Sequence, residues 1–286
     1  MEKRILALCC LIMSFFNVYA QKYQIVDGKS KEPLPYATIL FPQAAKGLYA
    51  DRDGTFVVPS EYSANDSISV SMLGYNTLHA KISDLTDPIS LSEAPYNLQS
   101  IVVTPVKKKK SMIVGFVFPK RGLVSHASGP VFIPVRYAVY IPNKEGIPKV
   151  VDKLLYRCRQ VDKNVEFIVR PLVYEASKNG TPGESLLHKS KIITLSEEGI
   201  LEINCEETII FPPEGLFVGI EILEAVGNYG RATSRSARYP IALTEAHKEP
   251  FTYISSEPLG EWLDYENHYF IYNNIAINAM IGLSYK

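Results

Sequence analysis

"GLYADRDGTFVV", residues 47 to 58, decides how the chain is read. Asp51, Asp53 and Gly54 stand at a spacing that could open a calcium loop. A loop of the EF-hand kind needs oxygen ligands at positions 1, 3, 5, 7, 9 and 12, with a closing carboxylate. Here Gly54 is followed by Thr55, Phe56, Val57, Val58 and Pro59, which is the register of a strand. Asp-Gly supplies turn chemistry instead, since Asp bonds its own backbone and Gly adopts positive φ. The stretch is expected to be the turn of a β-hairpin, and the chain around it a β-protein.

The flanking sequence agrees. Short runs rich in Val, Ile, Tyr and Thr alternate with Pro, Gly, Asn and Asp turns, the pattern of β-sandwiches. The clearest early runs are 34–41, 55–59, 66–73, 75–82 and 98–105; later ones are 131–142, 149–160, 165–176, 215–223 and 274–285. The last alternates, with Ile275, Ile277, Ala279, Ile281, Leu283 and Tyr285 on one face. One face is therefore expected to be buried and the other exposed or lightly covered. A strand of an outer-membrane barrel would also alternate. Segments of uneven length with charges on both faces favour a soluble sandwich.

Between the two series lies "VKKKKS", 106–111. Consecutive like charges repel and stay extended, so the run reads as a solvated linker; the alternative is a docking patch for anionic lipid or glycan. The expected organisation is all-β, with sandwiches at 21–105 and 112–286 joined by 106–111.

The first twenty residues, "MEKRILALCCLIMSFFNVYA", read as a secretory signal peptide. Lys3 and Arg4 precede an apolar run, and Val18 and Ala20 supply the small residues of a cleavage site. Lipidation at Cys9 or Cys10 is the rival, but Leu8 stands where a small residue is wanted. The mature chain would begin at Gln21, exported to the periplasm or the outer membrane. Two of the four cysteines leave with the leader, so Cys158 and Cys205 could form one disulfide in an oxidising compartment, or remain two half-buried thiols. The 286 residues carry 30 basic and 30 acidic side chains. That balance argues against nucleic acid, which needs a clustered positive field. No later run reaches the roughly 20 apolar residues of a transmembrane helix.

Residues 27–104 resemble the carboxypeptidase regulatory-like domain, a small transthyretin-like sandwich, motif by motif. "DGKSKEPLPYATILF" is similar to its opening strand and turn, and "GLYADRDGTFVV" to its Gly-x-x-x-Asp-x-Asp-Gly-x-Phe hairpin. "DSISVSMLGYNTLHAKI" and "LQSIVVTP" resemble its later strands. The second region resembles the C-terminal half of secreted envelope proteins of Gram-negative bacteria, where a jelly-roll-like β-domain follows. The resemblance implies no peptidase chemistry. Similar domains precede the plug of TonB-dependent transporters, but no plug or long barrel follows here.

Catalytic motifs are hard to find. None of His79, His126, His188, His247 and His268 is followed by Glu at the spacing of zinc carboxypeptidases, and His-Glu-x-x-His is missing. There is no Gly-x-Ser-x-Gly elbow and no phosphate-binding glycine loop. No cofactor is implied. A glycosidase needs two facing carboxylates; Glu214, Glu221, Glu224, Asp264 and Glu266 are available, and strand carboxylates are usually just solvated. The stretch 258–274 holds the sole tryptophan, Trp262, with Tyr265, Tyr269, Phe270 and Tyr272. Flat aromatic faces beside Asp and Asn suit sugar rings, so Trp262, Tyr265, Tyr269 and Tyr272 are candidate ligand-binding residues; the competing reading places these rings in the core. The expectation is a non-enzymatic binding or assembly module that meets an envelope protein, or alternatively a cell-surface glycan.

Overall fold

The computed structural model describes residues 21–94, 111–118, 123–124, 133–159, 165–227, 240–245, 251–255, 261–264 and 277–286. The leader, the strand expected at 98–105 and the lysine run lie outside them. Among the described residues the structure is almost wholly β, with two single-turn 3-10 segments.

Seven strands come first: β1 (Lys22–Asp27), β2 (Thr38–Phe41), β3 (Lys46–Tyr49), β4 (Thr55–Val57), β5 (Ser67–Ser71), β6 (Leu78–Lys81) and β7 (Ile89–Leu91). They form two sheets, β4-β1-β7 and β3-β2-β5-β6. Ile25, Phe56 and Leu91 from the first sheet bury against Ile39, Phe41, Ile68 and Val70 from the second. Alternating apolar positions facing inward from both sheets make a sandwich.

The Asp51–Gly54 turn sits where the chain passes between these sheets. Asp51 Oδ1 accepts the amides of Asp53 at 2.9 Å and Thr55 at 2.8 Å, and Oδ2 accepts the Thr55 hydroxyl at 2.6 Å. Gly54 has φ +69°, and a Cβ there would stand 2.8 Å from the Ile25 carbonyl oxygen. Turn chemistry thus consumes the carboxylate. The flanking strands are not ladder partners, however: β3 pairs with β2 and β4 with β1. The expected hairpin is a corner between two sheets.

Fifteen strands follow: β8 (Met112–Gly115), β9 (Leu123–Val124), β10 (Val135–Ile141), β11 (Lys149–Cys158), β12 (Val165–Ala176), β13 (Pro182–Ser185), β14 (Ile193–Leu195) and β15 (Gly199–Asn204); then β16 (Ile210–Phe211), β17 (Leu216–Gly227), β18 (Leu243–Glu245), β19 (Thr252–Ser255), β20 (Leu263–Asp264), β21 (Ile277–Ala279) and β22 (Ile281–Tyr285). A seven-stranded sheet runs β13-β12-β17-β10-β19-β20, with β14 also on β12. A five-stranded sheet runs β15-β11-β22-β8, with β16 also on β11, and a small sheet runs β21-β18-β9. No described sheet mixes strands from before and after residue 100. Val139, Val169, Val218 and Ile220 of the seven-stranded sheet bury against Leu154, Tyr156, Ile203 and Leu283 of the five-stranded one.

Two local features show the sequence at work. Pro171 lies inside the twelve-residue β12, although proline cannot donate to a ladder. On the side away from β17, β12 is met by β14 at 167–169 and by β13 at 174–176, so Pro171 falls in the gap. The alternating run 274–285 departs from expectation. Met280 divides it, β21 pairing with β18 and β22 with β11 and β8. Asn278, Met280 and Ser284, on the face expected to be exposed, are buried.

Candidate functional site

Three largely apolar strands of the seven-stranded sheet each place a charge inside an apolar run. Arg170 on β12 lies opposite Glu221 on β17, Glu221 opposite Arg136 on β10, and Arg136 opposite Ser255 on β19. Period two turns all four away from the core formed by Val135, Tyr137, Val169, Ile220 and Ile222. They make one row across the outer face. Arg170 Nη1 stands 3.2 Å from Glu221 Oε2, and Arg136 Nη2 donates to Ser255 Oγ at 2.7 Å.

An outer face would normally leave such charges to water, yet Glu221 is 2% exposed and Arg170 8%. The cover is the N-terminal sandwich. Tyr49, the last residue of β3, donates its phenol hydroxyl to Glu221 Oε1, and the Arg170 guanidinium lies 5.9 Å from its ring. Arg170 Nη2 donates to the Tyr36 carbonyl oxygen at 2.7 Å. The Tyr36 hydroxyl donates to Glu224 Oε2 at 2.7 Å, and Arg52, from the Asp51–Gly54 corner, reaches the same oxygen at 2.8 Å. Tyr36, Ile168 and Leu223 bury together beneath these polar contacts. Burial, then the Glu224 carboxylate, pushes the Tyr36 phenol up to about 12. Partial burial works against ionisation of Glu224, but hydrogen bonds from Arg52 and Tyr36 outweigh it and hold the carboxyl below its ordinary range. The Tyr36 phenol therefore serves as a neutral donor to the Glu224 carboxylate.

The row continues to the tryptophan. Trp262 is half-buried, with the Arg136 guanidinium 5.0 Å from its ring centroid and the Tyr174 ring edge-on at 5.5 Å. A guanidinium over an indole is attracted by the ring quadrupole. Trp262 is thus neither a core residue nor a bare platform: it is braced by an arginine that belongs to the charged row. Tyr265, Tyr269 and Tyr272 lie outside the described residues. Of the carboxylates considered for hydrolysis, Glu221 and Glu224 come together, but each is held by a tyrosine and an arginine. Glu214 is elsewhere, its carbonyl accepting from Tyr140 at 2.5 Å.

Cys158 and Cys205 are free thiols, the second of the two arrangements weighed for them. Cys158 lies opposite Gly199, whereas the Cys205 amide bonds the Asp152 carbonyl. Their levels on β11 are six residues apart, about 20 Å at the rise of a strand, while a disulfide needs Cα atoms within roughly 7 Å. Burial pushes both thiols up to about 11.

A cleft of about 1130 Å3 opens between the Gly74-Tyr75 turn and the loops around His188 and Glu207. Its carboxylates are engaged: Glu93 with Lys29, Glu206 with Lys191, and Glu207 with the His188 amide. Among the described residues no cluster of three His, Cys, Asp or Glu side chains could hold a metal ion. Nor is any described helix long and apolar enough to cross a membrane.

Residues 24–103 match the family model of the CarboxypepD_reg-like domain. The N-terminal sandwich is accordingly a carboxypeptidase regulatory-like domain, a non-catalytic module. Comparison with curated proteins and with solved structures gave no match.

The row was missed in the sequence because a lone charge within an apolar strand reads as an outward, solvated residue. The available signal was one such charge in each of "VRYAVYI", "IVRPLV" and "GIEIL".

Proposed function

We propose that the chain is an exported, non-enzymatic part of a Gram-negative cell envelope that works as a binding or assembly module through protein contacts. The non-catalytic character of the N-terminal module supports this for residues 24–103. For the remainder, read as a jelly-roll-like domain over 112–286, the supporting observation is the edge strand β8. Among the described residues β8 pairs only with β22, and Met112, Ile113 and the nearby Phe118 are 53%, 48% and 57% exposed. An open edge with apolar side chains offers main-chain bonds and pockets to an added strand. A photo-crosslinking residue at Ile113 of the full chain, expressed in a Gram-negative host, tests this. One defined envelope protein should be captured at Ile113 and not at exposed Lys29; identical adducts at both positions overturn the reading. Recovery of the mature chain from the periplasm or outer membrane, beginning at Gln21, tests export.

The half-buried Trp262 favours one second reading, a glycan-binding module using 262–272. Glycan-panel binding by the full chain, lost in Trp262→Ala, would replace the first reading with this one.

A further inference from the structure

We propose that the N-terminal module is a reversible latch on the outer face of the seven-stranded sheet, and that the row Tyr49–Glu221–Arg136–Trp262 couples its docking to the state of the tryptophan. The inference is independent of which partner the chain meets.

Reversibility follows from how the contact is made. Docking strips water from Arg170 and Glu221, which opposes the contact because each ion gives up its hydration. The module returns a phenol to Glu221 and the Tyr36 carbonyl to Arg170. Among the described residues, the buried apolar cluster shared by module and sheet is small: Tyr36, Ile168 and Leu223, with Tyr49 and Val226 at their margin. The remaining ion pair, Arg52 to Glu224, has side chains 47% and 40% exposed and is weak accordingly. Opposed contributions of similar size leave a small net preference, as in the polar interfaces between domains that move.

Coupling follows from shared groups. Glu221 sits between Arg170 and Arg136 in register, and takes the Tyr49 hydroxyl. Withdrawing that donor changes what Glu221 asks of its two arginines. Arg136 also bonds Ser255 and underlies Trp262. Its balance between carboxylate and indole sets how firmly the ring is braced. By linkage the effect is mutual: whatever moves Trp262 must alter docking.

The chain has one tryptophan, so its fluorescence reads this site alone. The test compares the full chain with Tyr49→Phe/Arg52→Ala, which alters only the module, and with Lys29→Ala as control. The radius of gyration by X-ray scattering reads docking, and circular dichroism confirms retained β-structure. If the double variant fails to fold, Tyr49→Phe alone is used. The expected result is a larger radius together with a red-shifted emission and stronger iodide quenching, none of it in Lys29→Ala. Conversely, Trp262→Phe should enlarge the radius. An unchanged radius in the module variants overturns the latch. A larger radius with unchanged Trp262 emission overturns the coupling.

Discussion

Tyr49 and Glu221, 172 residues apart in sequence, meet through one hydrogen bond from phenol to carboxylate. The contact places the end of β3 on the middle of the opposing sheet's charged row. Glu221→Ala should leave Arg136 and Arg170 flanking an empty position. Breaking a fully buried pair costs roughly 3–5 kcal/mol. Here the module can lift and let water reach the arginines, so the expected loss is nearer 1–3 kcal/mol by urea unfolding. Lys153→Ala, which breaks an exposed pair with Glu202, should stay within about 1 kcal/mol.

Acid should weaken the fold through its hydrogen-bonded carboxylates. The Ser30 amide, then the Tyr75 phenol and the Lys29 amide, hold Asp27 below its ordinary 3.8. Burial opposes but does not outweigh the Thr55 and Asp53 bonds that lower Asp51. Glu224 is lowered from 4.5. Groups depressed in the folded state contribute stability that is present above their unfolded values and lost as pH falls through the folded ones. The urea midpoint should therefore hold steady from pH 7 to about 5 and decline below about 4.5. Asp27→Asn should flatten that decline.

Cys158 and Cys205 should behave as two separate, slow thiols. A folded chain that begins at Gln21 should show no mobility change on reduction, and its two thiols should titrate on unfolding. Because burial raises both to about 11, alkylation of the folded chain at pH 8 should lag well behind that of the unfolded chain. A disulfide-linked peptide in a digest made under non-reducing conditions would contradict the assignment.

Gly54 and Gly146 offer a paired test of the corner. Both have positive φ, +69° and +66°, but a Cβ at Gly146 meets open space, whereas one at Gly54 meets the Ile25 carbonyl and Leu34 backbone. Alanine at either site incurs the left-handed penalty of roughly 1 kcal/mol. Gly54→Ala should cost distinctly more, measured by thermal unfolding.

Much of this was readable in the residues. The run 165–176 became β12 with those bounds, because twelve residues of mostly apolar and β-branched side chains have no competing period. The Asp51 turn was legible because Asp-Gly chemistry is local. Its role as a corner was not, since ladder partners are chosen by residues far along the chain. The burial of both faces of 278–285 was hidden for the same reason: period two reports alternation, and only the arriving neighbours decide whether the second face stays open. Trp262 was singled out by its rarity, but its brace, Arg136, lies in a strand whose lone charge gave no hint of a partner from another sandwich.

The strand β22 has a kinetic meaning. It lies between β11 and β8, so closing the five-stranded sheet joins residues 112–115 to 282–285. Contacts of such sequence separation raise contact order, and chains dominated by them fold in milliseconds to seconds or slower. The sheet's interior cannot be completed by any early portion of the chain acting alone. If the chain is exported unfolded, as proposed above, a native state assembled last from its most distant segments would keep the nascent chain threadable.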